Sequence, residues 1–367
     1  MREYILHTVH RTKSTPAPPP LAPIRRAKTD SHDEDDDVGA NTLDSSSLDS
    51  CVGASSLLVV LFQSPSASYF AQLQSIPENS RLHHPPISLV NDDGPPSSVS
   101  PYFAPLVDAL DKAGHTTVVV IPDRPLSWIG KAHAVGKTLT ATSKCPASFS
   151  NEACTVPGCD ETEDRTHRWL VVDGLPASCT QIGLFHTGFK PDDFDLVVSG
   201  PNHGRNASTV YALSSGTVGG AMEAAQCGRR AVALSFGSKE VQPDEVIRAA
   251  CGRAVGLIED LARDWHHDVE VYSVNIPMVA DIADRPVRLT TTAHGRWVTG
   301  GLFSPAPADP EKLATSRTYQ FRWAPQLADI KRQAEESPEG EDLWASLNGV
   351  ISIAPLRASF TAVDVHK

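Results

Sequence analysis

From residue 87 to residue 277, short apolar runs recur, most of them separated by amphipathic segments of helical period. ISLV (87–90), TTVVVIP (116–122), WLVVDG (169–174), DLVVSG (195–200), RAVALSF (230–236) and VEVYSVNIP (269–277) read as buried strands. SPYFAPLVDALDKAGH, ASCTQIGLFHTG, SGTVGGAMEAAQCG and PDEVIRAACGRAVGLIEDLARDW read as the helices between them. In the first of these, Phe103, Leu106, Val107 and Leu110 share one face and Gly114 ends the pattern. Strands apolar on both faces belong in a parallel sheet, because each parallel pair needs a crossover and helices supply it. The spacing therefore predicts an α/β domain with a mostly parallel sheet. After residue 285 the pattern loosens into RLTTTAHGRW, TYQFRW and VISIAPL, which predict mixed or antiparallel strands in an appended lobe at about 285–367.

Residues 1–85 have a different texture. PAPPPLAP and Ser/Asp-rich tracts bury too little apolar surface to offset chain entropy, so this region is expected to be disordered. The domain proper is expected at 86–367, long enough for one sizeable core. The formal net charge of −12 argues against a nucleic-acid groove. It leaves open a small phosphorylated substrate, which needs only local positive charge. The seven cysteines are odd in number and scattered, which points to a reducing compartment rather than a disulfide framework. Cys145, Cys154 and Cys159 are read as ordinary loop residues, since their spacing suits no zinc pattern. No apolar stretch approaches a membrane span and no signal peptide is evident, so a cytoplasmic location without membrane association is expected.

Three turns follow strands directly: NDDG (91–94), PDRPLSWIGKA (122–132) and SGPNHGRN (199–206). In an open parallel sheet, loops at the carboxyl ends of strands meet along one edge, where ligands bind. NDDG alone would pass as a turn. Together the three offer Asp92 and Asp93 carboxylates, the Ser127 hydroxyl and the Asn202 amide oxygen. That oxygen-only set suits one divalent ion, Mg²⁺ or Mn²⁺. Adjacent carboxylates raise each other's pKa unless a cation lies beside them. SGTV (215–218) opens a helix whose free N–H groups suit a phosphate, with Ser215 also able to act as N-cap. Asn206 and Gly204 add donors. Lys131, His133 and His203 are read as surface or structural residues. A dinucleotide-dependent oxidoreductase is excluded, because N-D-D-G-P-P stands where G-x-G-x-x-G would be required.

Taken in order, these motifs resemble the SurE (survival protein E) family of metal-dependent phosphatases and nucleotidases, in its fungal-type wording NDDGPPSS, SWIGKAH and SGPNHGRN. SSGTVGGAMEA, DGLPASC (173–179), VNIP (274–277) and EDLWASLNGVISIAPL (341–356) extend the resemblance to most of the folded part. It implies a Rossmann-like three-layer α/β domain whose C-terminal extension builds a homodimer or homotetramer. It implies Asp92, Asp93, Ser127 and Asn202 as ligands of one divalent ion per subunit. It places Asn206, Ser215, Gly216 and Thr217 around the phosphate. Asp92 or Asp93 would direct the attacking water onto a phosphomonoester, a nucleoside 5′- or 3′-monophosphate. The alternative is a nucleotide-binding or scaffolding protein of the same fold without catalysis. The chain departs from the family pattern at Pro95 and Pro96, at Trp128 where a small residue is usual, at Ala177–Ser178, and by an apparent extra residue between Asn202 and Ser215.

Overall fold

The computed structural model describes residues 85–149, 168–238, 240–306 and 319–360. The N-terminal region expected to be disordered lies outside these residues, as do Cys154 and Cys159.

Eleven strands are described: β1 (Ile87–Val90), β2 (Thr117–Pro122), β3 (Ala141–Lys144), β4 (Trp169–Val172), β5 (Leu196–His203), β6 (Ala231–Phe236), β7 (Val271–Ile276), β8 (Val287–Leu289), β9 (Phe303–Pro305), β10 (Phe321–Trp323) and β11 (Ile351–Leu356). Nine of them form one sheet in the order β3-β4-β2-β1-β5-β6-β7-β11-β8. The run from β4 to β7 is parallel throughout, whereas β3 and β11 join it antiparallel. From β1 the chain builds outward on one side to β2 and β4, then returns to place β5 on the other side. The order thus reverses between β1 and β5, the point where such sheets open a crevice.

The helices are α1 (Phe103–Lys112), α2 (Pro176–Phe185), α3 (Thr209–Ala212), α4 (Gly216–Gln226), α5 (Asp244–Arg263), α6 (Ala328–Glu335) and α7 (Asp342–Leu347). Two apolar cores flank the sheet. Leu89, Val119, Ile121, Val198 and Leu234 pack with the buried faces of α1 and α5. Val90, Val120, Val197 and Ala233 point the other way and pack with α2 and α4. This alternation is the strand period of two, and it explains why the parallel strands read as continuous apolar runs. In α1, Phe103, Leu106, Val107 and Leu110 are buried as the spacing predicts, and Phe103 meets Trp169 edge to face at 5.3 Å. Each such side chain contributes about 1.5–3 kcal/mol. Asp244 and Glu245 at the start of α5 and Arg263 at its end complement the helix dipole. Among the described residues, no helix is long and apolar enough to cross a membrane.

The strands after residue 285 are mixed, as expected: β11 runs antiparallel to β7 and parallel to β8, which joins both to the main sheet, while β9 and β10 form a separate antiparallel pair. The structure differs from the sequence reading in two places. β5 runs on through Asn202 and His203 after a register shift, where the pattern placed a loop. Cys145 is disulfide-bonded, against the expectation of an ordinary loop cysteine. Spacing alone does not fix such pairing.

Asp329 pins the segment before β9. Its carboxylate accepts from the Val298 N–H at 2.9 Å, the Thr299 N–H at 2.7 Å and the Thr299 hydroxyl at 2.8 Å. The Thr299 and Val298 N–H groups hold its pKa down, from 3.8 to about 2. A carboxyl with a depressed folded-state pKa contributes stability above its unfolded value and loses it as pH falls through the folded one. The difference in Tm between the native protein and Asp329→Asn is therefore expected to be full above about pH 4. Thermal scans should show it shrinking as pH falls toward about 2.

Candidate active site

The site begins where β1 ends. The Asn91 side chain accepts from the Gly94 N–H at 3.1 Å and donates to the Gly94 carbonyl at 2.8 Å. This closes a tight turn and buries Asp92 and Asp93, which are 2% and 5% exposed. The Asp92 carbonyl accepts from the Leu126 N–H at 2.7 Å, which ties the Ser127 loop to the turn. The two carboxyls then engage two different elements. Asp92 Oδ1 accepts from the Thr217 hydroxyl at 2.5 Å, at the start of α4. Asp93 Oδ2 accepts from the His203 N–H at 2.7 Å, at the end of β5. Gly216 is required beside Asp92, since a Cβ there would stand 2.7 Å from the Asp92 Cβ and 2.9 Å from its Oδ2.

Burial pushes the Asp92 carboxyl above its ordinary range, opposed by the Thr217 hydroxyl and by backbone N–H groups at the α4 start. Burial, and then the charge of Asp92, push Asp93 up to about 8. Among the described residues, no cationic side chain acts on either carboxyl. Two buried acids without a matching cation, beside a hydroxyl and an amide oxygen, make a donor set that fits a hard divalent ion.

A cavity of about 300 Å³ opens at this edge of the sheet. Asp92, Ser127 and Asn202, from three separate post-strand segments, all line it, as do Asn206 and Ser215. The remaining candidates stand behind the wall. Asp93 holds the His203 backbone, and Gly216 packs on Asp92. Thr217 spends its hydroxyl on Asp92, with Asn202 Oδ1 at 3.4 Å. Asn206 is itself anchored: its N–H donates to Asn275 Oδ1 at 2.8 Å and its Nδ2 to Ser235 Oγ at 2.9 Å. Ser215 caps α4 by accepting from the Val218 N–H at 3.0 Å. Lys131 and His133 are committed to the buried Glu223, at 2.6 and 3.2 Å. Although burial opposes ionisation of Glu223, Lys131, Gln181 and His133 hold its carboxyl below the ordinary value. The same contact fastens the Ser127 loop to α4.

Arg205 and Tyr211 also line the cavity, and the sequence reading missed both. Arg205 stands between Gly204 and Asn206, two residues already singled out, and was legible for that reason. Tyr211 lies on the one-turn helix α3 and carries no sequence signal of its own.

Comparison with known proteins places these features. The family model "Survival protein SurE" matches residues 87–299. "5'-nucleotidase SurE" of Ruegeria pomeroyi is 34% identical over 203 residues, 54% of this chain and 73% of that protein. "5'-nucleotidase SurE" of Aquifex aeolicus is 29% identical over 287 residues, 77% of this chain and 96% of that protein. "Probable tubulin--tyrosine ligase PBY1" of Saccharomyces cerevisiae is 33% identical over 317 residues. That match takes in 76% of this chain but only 41% of the yeast protein, so the chain spans about two fifths of that relative. The crystal structure of the SurE protein from Aquifex aeolicus superimposes with a TM-score of 0.53 at 25% identity, over 76% of this chain and 95% of that one. With more than half of its length matched by the family model, and with the NDDG, Ser127 and SGPNHGRN segments converging on one cavity, the chain belongs to the SurE family.

Proposed function

We propose that this protein is a metal-dependent phosphomonoester hydrolase acting on nucleoside 5′- or 3′-monophosphates, working as a homodimer or homotetramer assembled through residues of about 285–367. The observation that carries the catalytic reading is the convergence of Asp92, Ser127 and Asn202 on one polar cavity with Asp93 directly behind. The bacterial relatives' name, 5′-nucleotidase, supports the reaction class. One Mg²⁺ or Mn²⁺ held by Asp92, Asp93, Ser127 and Asn202 would supply the positive charge that acidifies water and polarises a phosphoryl oxygen.

The chain's own groups do the rest. Asp92 faces the cavity with Oδ1 fixed by Thr217, which leaves Oδ2 to orient a water and take its proton. Asp93 holds the end of β5 in place through Oδ2, so Oδ1 is the oxygen it would offer to the ion. The water oxygen bonds to phosphorus as the ester P–O bond breaks, and the leaving alcohol takes up a proton. Arg205 and the N-terminal end of α4 supply positive potential beside the phosphoryl oxygens.

The test is phosphate release from a panel of nucleoside monophosphates before and after metal removal. Stripping with EDTA should abolish turnover, and Mn²⁺ should restore it. A cation at about 100 times its Kd adds about 2.7 kcal/mol. For a domain of this size that raises Tm by roughly 5 °C or more, readable by differential scanning fluorimetry. Full turnover of rigorously metal-free protein would overturn the proposal. Tight nucleotide binding without any phosphate release would mark a binding or scaffolding protein instead.

A further inference from the structure

We infer that Trp128, supported by Tyr211 and Trp323, is the seat of the substrate's nucleobase and favours purines. This rests on the phosphatase reading above and names the part of the substrate that the metal and phosphate groups leave unread.

Trp128 has φ +63°, the left-handed region. A bulky side chain is a true outlier there, and such strain persists only where surrounding structure enforces it, most often at ligand sites. Plain hydrophobic packing would not require this position to be so strained. The conformation puts the indole one residue from Ser127, in the wall of the cavity that Asp92 and Asn202 also line. Trp128 is only half-buried, although it is large and apolar.

Three described aromatic neighbours pack about it. Tyr211 lies 5.7 Å away at 65° and Trp323 5.2 Å away at 69°, both edge-to-face. Trp297 is more distant, at 6.4 Å and 37°. Among the described residues none stacks flat on the indole, and Trp323 is itself 48% exposed. Tyr211 shares the cavity wall, and burial pushes its phenol pKa up, so its hydroxyl remains a hydrogen-bond donor. An oriented aromatic wall, continuous with a polar end that carries Arg205 and Asp92, matches the two chemistries of a nucleoside monophosphate. The cavity's 300 Å³ is at the small end of ligand pockets. Flat π-stacking on an indole grows with the area of the base, which gives the preference for purines over pyrimidines.

The experiment compares AMP, CMP and ribose 5-phosphate in the native protein, Trp128→Gly and Trp128→Phe. Glycine suits the left-handed backbone, so the first variant keeps the loop geometry and deletes only the ring. The ratio of kcat/KM for AMP to that for ribose 5-phosphate is expected to fall about tenfold in Trp128→Gly, through KM. Trp128→Phe should restore most of it, and the native protein should favour AMP over CMP. An unchanged ratio in Trp128→Gly, or equal use of AMP and ribose 5-phosphate by the native protein, overturns the inference. Intrinsic tryptophan fluorescence reads the same seat without turnover. If no monoester is hydrolysed, the phosphatase reading fails by itself. Saturable quenching by AMP, weakened in Trp128→Gly and absent with ribose 5-phosphate, would then still support the seat. Absence of quenching by AMP in the native protein would end it.

Discussion

Asp92→Asn is expected to lower kcat/KM by about a thousandfold or more while leaving the protein folded. The substitution keeps the shape of the side chain, and its amide oxygen can still accept from the Thr217 hydroxyl, now 2.5 Å from Asp92 Oδ1. Gly216, whose absent Cβ makes room for Asp92, is untouched. What is lost is negative charge at the cavity wall. That charge serves two purposes in the proposed reaction, attracting the divalent ion and accepting a proton from water. The charge is also costly to the protein alone, because burial raises the Asp92 pKa against the Thr217 and backbone hydrogen bonds, and no cationic side chain among the described residues offsets it. Neutralising it should leave the metal-free Tm unchanged or slightly higher, a pattern seen when stability is sacrificed at a functional site. The rise in Tm on adding Mn²⁺ should vanish together with turnover. Circular dichroism, Tm with and without Mn²⁺, and kcat/KM on AMP separate the effects. Near-normal turnover in a folded Asp92→Asn protein would remove Asp92 from the chemistry.

The parts of the fold legible in the sequence are those dictated by burial on both faces. Val198, Val232 and Leu234 are buried on one side of the sheet and Val197 and Ala233 on the other, so β5 and β6 appear as apolar runs whatever their partners. The helices between them carry their own period. β3 carried no such signal: ATSK is largely exposed at an edge and is placed by pairing with β4. The direction of β11 was equally hidden. An apolar run reveals burial but not which neighbour it meets, and β11 returns antiparallel to β7 from 75 residues further along the chain. At the site, residue chemistry was legible because the oxygen ligands occur in turns that directly follow strands. The division of labour among them was not. Only the fold shows that the Thr217 hydroxyl is spent on Asp92 and that Asp93 gives one of its two oxygens to the His203 N–H. Tyr211 enters the wall because β5 outlasts its apolar run and the short helix α3 follows it closely, a matter of tertiary geometry, whereas Arg205 sits inside a motif the sequence already displayed.

That extension of β5 leads to the second large effect: Gly200→Ala should leave little folded protein. β5 pairs in register with β6 at Val197, Val198 and Ser199, slips, and pairs again at Asn202 and His203. Gly200 lies in the slip at φ +123°, and a Cβ there would stand 2.1 Å from the Leu234 carbonyl oxygen and 3.0 Å from its carbon. The contact is with backbone of β6, a central buried strand paired on both edges, so no side chain can swing away to relieve it. Backbone strain and overlap act together, and the cost is expected to be about 4 kcal/mol or more. Most of a typical domain's stability of about 5–15 kcal/mol would then be gone. Soluble yield and the urea midpoint measure the loss. Gly252→Ala is the control, because that glycine lies in α5 with nothing within 4 Å of the new Cβ. It should be neutral or stabilise by about 0.5–1 kcal/mol. The slip is also what carries Asn202 to the cavity and brings the His203 N–H to Asp93. A Gly200→Ala protein with a native urea midpoint would mean that β5 can pass this point by another path. The positions of Asn202 and Asp93, and the cation site built on them, would then no longer follow from the strand.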